Sequence, residues 1–304
     1  NNDGLYCDNS LPTLSRREGG LAMFPTPIER TKPSTQLLYK IALPISIIIW
    51  LLPLLAVALT SIRSGADINS GNYWGMPTSI NFIENYTAVF TDSPLGYYIL
   101  NSFKITIPTV IGAIVLSSLT GFALGVYRFK LNLFVFFMFV AGNFIPFQIL
   151  MVPVRDLSLS LGLYNSVWGL VVFHIAFQTG FCTFFMRNFI RALPFELIEA
   201  ARVEGVSEFK IFWHIVVPLM RPAMAALSVL IFTFIWNDYF WAIVLTQGAE
   251  AMPVTAGLNS LNGQWVYNQH LVSAGSIIAA LPPVLMFFLM QKHFIAGLTL
   301  GAVK

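Results

Sequence analysis

The sequence predicts an all-α membrane protein with six transmembrane helices and both termini in the cytoplasm. Of its 304 residues, 56% are hydrophobic and only 10% are charged, against roughly 25% charged in soluble domains. Six segments, about 37–61, 98–127, 131–154, 163–186, 222–246 and 270–291, reach the ~20 mostly apolar residues that cross a bilayer. The basic residues then set the direction. Arg16, Arg17, Arg30, Lys32, Lys40, Arg128, Lys130, Arg187, Arg191, Arg202, Lys210, Arg221, Lys292 and Lys304 all fall on one side of a six-span arrangement. Only Arg63, Lys104 and Arg155 fall on the other, and the positive-inside rule assigns the richer side to the cytoplasm. The net charge of +3 is absorbed by this topology and gives no reason to expect a nucleic-acid partner.

Taken in order, residues 1–35 read as a polar, flexible cytoplasmic tail, and 36–304 as the transmembrane domain. The first span is longer than a signal-peptide core and is expected to insert and stay. Cys7 in the tail and Cys182 in the fourth span are expected at different depths, so neither a disulfide nor a metal site is expected. The outer loop 62–96 contains NFIENYTAVF, whose Phe82, Ile83, Tyr86, Val89 and Phe90 share one helical face, as in an amphipathic helix at the outer surface. In the second span Ser117, Gly121 and Gly125 recur every four positions, a stripe suited to close helix packing within the chain or against another subunit. Pro44, Pro53, Pro108, Pro146, Pro153, Pro282 and Pro283 can each kink a span. The loop 247–269, with Gly248, Gly257, Gly263 and Trp265, would line an outer entrance or cover helix ends.

The cytoplasmic loop 187–221 departs from the rest. ELIEAARVEGVSEFKIFWHIVVP carries Glu196, Glu199, Arg202, Glu204, Glu208 and Lys210 within 23 residues. Pro194 suits the start of a helix, with Glu196 near its positive N-terminal end. Gly205 then breaks the run, Ser207 can cap a second helix over 208–216, and Pro218 is expected to end it. The result is a helix, a glycine corner and a second helix, with adjacent Ala200 and Ala201 permitting close approach of another surface. A surface linker anchored by Trp213 and His214 is the plainer alternative.

This stretch resembles the EAA loop of permease subunits in binding-protein-dependent ABC importers. The matching residues are Glu199-Ala200-Ala201, Gly205 four positions on, Ile215, and Val217-Pro218, where the family pattern has Leu-Pro. WNDYFWAIVLT (236–246), LNSFKIT (100–106) and the terminal FIAGLTLGAVK (294–304) resemble the sugar-transporting branch, the last its second permease subunit. The resemblance implies the type I ABC importer permease fold in a bacterial cytoplasmic membrane. It implies a non-catalytic subunit that translocates a sugar or sugar derivative delivered by an external binding protein. It also implies a sister permease as heterodimer partner and two cytoplasmic ATPase subunits that carry the ATP and Mg. By the same analogy Glu199, Ala200, Ala201, Arg202, Glu204, Gly205, Ile215 and Pro218 make the ATPase-docking loop. Gly297, Gly301 and Lys304, in the tail 292–304, approach the ATPase.

The residues agree with a division of labour, since the chain has no G-x-x-x-x-G-K-[ST] loop to cradle nucleotide phosphates. An ion-coupled secondary transporter is the alternative. It would need mid-membrane carboxylates and usually internal repeats, and only Asp238 approaches the first while no repeat is visible. A membrane enzyme or haem subunit would need paired histidines or a nucleophile motif, and neither is present. Polar groups in spans are costly and usually face a cavity or a partner. Asn143, Gln148, Gln178, Trp236, Asn237, Asp238, Tyr239 and Trp241 are therefore candidates for a substrate pathway. For Asn237 and Asp238 a structural role at a helix break is equally open, and His174 reads as a packed histidine.

Overall fold

The computed structural model of the chain describes residues 32–73, 75–262 and 268–300, the last nine by their backbone alone. Cys7, Gly263, Trp265, Gly301 and Lys304 lie outside the described residues. The chain divides into two units, one ending at Leu54 and one from Leu55 onward. Helix α1 (Pro33–Ser61) supplies nearly all of the described part of the first unit. It starts three residues before the expected transmembrane domain. Its surface is apolar all round, with Leu43, Ile48 and Trp50 exposed, which is the pattern of a lipid-facing span.

The second unit begins with a folded connection. Short α2 (Gly65–Asn69) and α3 (Phe82–Thr91) lead to α4 (Leu95–Val126). The α3 helix has the expected extent, but its inward face is Asn85, Tyr86 and Val89, while Phe82, Ile83 and Phe90 are half or more exposed. The reason is polar. Asn85 Nδ2 donates to the carbonyls of Ser61 and Arg63, each at 2.8 Å, and these bonds fix the helix rotation against its apolar pattern.

Arg63, one of the three cations on the expected outer side, is buried and donates to the carbonyls of Asn72, at 2.8 Å, and Gly75. Asp67 completes this knot, accepting from the Thr78 backbone N–H at 3.0 Å and the Thr78 hydroxyl at 2.8 Å. Those two bonds, with Arg63 adding a smaller share, hold its carboxyl below the usual carboxylate range. Because the folded value is the lower one, the stabilisation is present above the unfolded pKa of about 3.9 and is lost as pH falls through the folded value. The protection of amides in 62–80 against hydrogen exchange, measured relative to their intrinsic rates at each pH, should therefore fall on acidification, and Asp67→Asn should flatten that dependence. An acid response equal in both proteins would remove Asp67 from the account.

Next come α5 (Asn132–Ala141), the 3₁₀ turns Gly142–Phe144 and Phe147–Leu150, and α6 (Met151–Ser160). The expected third span is not one helix. The segments 132–144 and 147–160 meet at 90°. Ile145, forced out of the helical region by the following proline, is extended (φ −75°, ψ 123°), and Pro146 has no N–H to continue the ladder. Among the described residues five helices are long and apolar enough to cross a membrane, and the bent pair makes a sixth if counted as one span.

Helix α7 (Val167–Ile190) packs along α4 and forms the centre of the unit. Here the small-residue stripe acts within the chain. A Cβ on Gly121 would lie 2.8 Å from Met186 Cβ and 3.0 Å from the Arg187 backbone nitrogen, and one on Gly125 would press Ile190. Only glycine allows backbones this close.

The loop helices α8 (Phe195–Val203) and α9 (Glu208–Ile211) follow. From Glu208 the chain runs as one helix through a π-turn at Phe212–Val216 into α10 (Val217–Trp236). Pro218 therefore does not end the helix as expected. It sits in the first turn of α10, and the preceding turn widens so that the Val217 N–H reaches back five residues to the Phe212 carbonyl. The wider turn relieves the clash of the proline ring with the carbonyl four residues earlier. His214 Nδ1 lies 3.1 Å from the Lys210 carbonyl inside that turn.

The expected fifth span breaks after Trp236 and resumes as α11 (Phe240–Leu245). Short α12 (Val254–Gly257) and the 3₁₀ turn Leu258–Leu261 precede α13 (Gln269–Leu300). Asn101 and Ser102 of α4 hold the connection. Asn101 Nδ2 donates to the carbonyls of Ala249, Glu250 and Met252 at 3.0–3.3 Å, and Ser102 Oγ accepts from the Val254 N–H at 2.8 Å. This part of 247–269 covers the start of α4.

Candidate functional site

The 195–216 corner is set by backbone rules before any side chain acts. Gly205 has φ +78°, in the left-handed region. Its N–H donates to the Arg202 carbonyl and the Val206 N–H to the Ala201 carbonyl, both at 3.0 Å. This is a Schellman closure, and its left-handed residue favours glycine. The Ser207 backbone is extended as a cap requires, yet its hydroxyl makes no capping bond.

A side-chain bridge locks the corner. Arg202 Nε and Nη2 donate to the two oxygens of Glu208 at 2.6 and 3.1 Å. The Tyr127 hydroxyl, at the end of α4, donates to the same carboxylate at 2.7 Å, and the Arg202 guanidinium lies 5.7 Å from the Tyr127 ring. Both partners of the ion pair are about a third exposed. Arg202 is held above its ordinary pKa mainly by the Glu208 bond, so the bridge persists through neutral pH. A double-mutant cycle on Arg202→Gln and Glu208→Gln should give a coupling of about 0.5 kcal/mol, and the swap R202E/E208R should restore it. Additive single effects would mean that Tyr127 and the glycine hold the corner alone.

The expected docking residues separate by burial. Glu199, Ala200, Glu204 and Gly205 are exposed, with Leu197 and Val203 exposed beside them. Ala201 is buried, facing the core with Ile198, so it supports the face from beneath and does not form it. Arg202 is committed to Glu208, and Ile215 and Pro218 are partly buried in the helix that anchors the corner. Sequence reasoning missed Ile198, Glu208 as a partner, and Tyr127. The spacing of Ile198 and Ala201 could have revealed the first. The other two depend on contacts six and 81 residues apart. Gly297 lies within α13.

The intramembrane candidates also divide. Trp236 is buried, donates from Nε1 to the Ala279 carbonyl at 2.9 Å, and stacks on Phe232. Trp241 is buried against Phe173 at 4.2 Å between ring centres. Both are core residues here and line no open surface. Asp238 works at the helix break: its carboxylate accepts from the N–H groups of Trp241 and Ala242 at 3.4 and 3.1 Å. Its Oδ2 also lies 3.6 Å from Nε2 of buried His174. Asn237 donates back to the Thr233 carbonyl. Asn143, Gln148, Asn237 and Tyr239 remain exposed, and Gln178 is half-buried.

Comparison with known proteins agrees with this architecture. Residues 113–299 match the family model described as the binding-protein-dependent transport system inner membrane component. An osmoprotective compounds uptake permease protein of Synechocystis is 33% identical over 90% of this chain and 95% of its own length. An arabinooligosaccharides transport system permease protein of Halalkalibacterium halodurans is 33% identical over 90% of this chain and 99% of its own. The crystal structure of a bacterial ABC transporter involved in import of the acidic polysaccharide alginate shares the fold. Its TM-score is 0.75 at 23% identity, over 87% of this chain and 99% of that one. By its family match and its relatives, this chain belongs to the inner membrane components of binding-protein-dependent transport systems.

Proposed function

We propose that this chain is one of two different permease subunits in a bacterial inner-membrane importer for a sugar or sugar derivative. An external solute-binding protein delivers the substrate, and two cytoplasmic ATPase subunits bind ATP and Mg and do the hydrolysis; the chain itself is non-catalytic. The observation that carries this reading is the exposed face of α8, where Glu199, Ala200 and Glu204 project beside a glycine corner fastened to the transmembrane core. A knob of that kind fits a groove on a partner, and small side chains permit close approach. The sugar class is supported by relatives named for arabinooligosaccharides and for melibiose, raffinose and stachyose. The exposed Asn143, Gln148, Asn237 and Tyr239 are polar groups that a second permease subunit would enclose, and hydroxyl-rich substrates need such hydrogen-bonding partners.

The test is purification of the chain with its neighbours and reconstitution in lipid. An ATPase and a second permease should copurify. The loaded binding protein should raise ATP hydrolysis, with uptake of labelled oligosaccharide following. Uptake by the lone chain driven by an ion gradient would overturn the reading.

A further inference from the structure

The ends of α4 and α7 enclose an open cleft of about 740 Å³. Arg128, Lys130, Arg187 and Arg191 line it, and no carboxylate does. Arg128, Lys130 and Arg191 are exposed and make no ion pair among the described residues. Glu208, bonded to the lining residue Tyr127, is itself bridged by Arg202.

Arg187 is the built part of the site. It is more than nine-tenths buried, its Nε donates to the Leu124 carbonyl at 3.1 Å, and its guanidinium lies 3.9 Å from the Phe136 ring centre. Its position is thus fixed before any ligand arrives. Arg191, one helical turn on, shares its face, and like charges at that spacing repel. Four cations line this cleft with no carboxylate among them, the helix-end carbonyls supplying only partial negative charge, so a bound anion would add stabilisation, and arginine suits the geometry of phosphate oxygens.

The rim of the cleft is apolar. Phe129, Leu131 and Leu133 are about half exposed around the basic turn. A free phosphate has no use for such a rim, whereas a phospholipid places its headgroup on the cations and its chains along the apolar side chains. We propose that this cleft binds the phosphate headgroup of an anionic phospholipid of the cytoplasmic leaflet. The proposal rests on the cytoplasmic placement of this end and is independent of ATPase coupling.

Each cation near an anionic membrane surface is worth about a fivefold factor in affinity. The purified complex, stripped of lipid in neutral detergent and without ATP, would be titrated with phosphatidylglycerol or phosphatidylcholine and its bound lipid counted by native mass spectrometry. Phosphatidylglycerol should be preferred, and R128Q/K130Q, which alters two exposed turn residues, should weaken it about thirty-fold. Arg221→Gln, outside the cleft, should leave it unchanged. Equal retention of both lipids, or an unaltered preference in the double variant, overturns the proposal. So does tight binding of inorganic phosphate without lipid preference, which would make the cleft a soluble-anion site.

Discussion

Gly205→Pro is expected to leave the chain inserted and assembled while abolishing the stimulation of ATP hydrolysis by the loaded binding protein. Proline fixes φ near −65°, whereas residue 205 sits at +78°. It also removes the N–H that bonds the Arg202 carbonyl. The cost of a misplaced proline, about 3 kcal/mol, corresponds to roughly a hundredfold loss of the native corner. The graded variants make the prediction sharper. A Cβ at this position would meet nothing within 4 Å, so side-chain size is irrelevant and backbone conformation decides. Alanine and leucine should therefore impair coupling alike, by about 1 kcal/mol, and asparagine, which tolerates the left-handed region, less. The measurement is binding-protein-stimulated ATPase activity and uptake of the reconstituted complex. Full coupling in the proline variant would reduce this loop to a tether.

The second large effect is structural. Gly121→Leu should destabilise the second unit by about 3 kcal/mol, near the upper end for overpacking, because the first added carbon already collides with Met186 Cβ and the Arg187 backbone. Backbone in a packed helix pair cannot move aside as a flexible side chain can. Gly142→Ala is the internal comparison, since a Cβ there meets nothing within 4 Å, and it should fall within about 0.5 kcal/mol of the native chain. Thermal unfolding of the purified complex in detergent reads both. Equal midpoints for Gly121→Leu and the native chain would mean that α4 and α7 separate readily at this crossing.

These two glycines also mark what the sequence could reveal. Gly205 and Gly121 were legible because each obeys a local rule, one for chain reversal and one for helix spacing. Hydropathy likewise located the spans, since it sums over many residues and tolerates local error. It carries no direction, however. It could not show that Pro146, with extended Ile145 before it, turns the third span through 90°. Nor could it show that Trp236 and Trp241 face inward, because an indole is equally at home against a sugar and against Phe232 or Phe173. Ala201 was misplaced for a related reason. A small residue beside a corner suits both a docking face and a tight internal contact, and only the company of buried Ile198 decides. Asn85 overrode the apolar pattern of α3 with two hydrogen bonds whose acceptors lie 22 and 24 residues away.

The uninterrupted helix from Glu208 to Trp236 has a mechanical meaning. Its 29 residues at 1.5 Å each give a rod of about 43 Å, clamped at one end by the Arg202–Glu208–Tyr127 bridge and at the other by the Trp236–Ala279 bond. Had Pro218 ended a helix, a push on the corner would have been absorbed by a flexible joint. With the π-turn carrying the backbone past the proline, a tilt of about 5° at the corner would carry the far end by roughly 4 Å, and α13 with it through the Trp236–Ala279 bond. That displacement would arrive beside Asn237 and Asp238, where the rod stops and the Asp238 carboxylate holds the turn into α11.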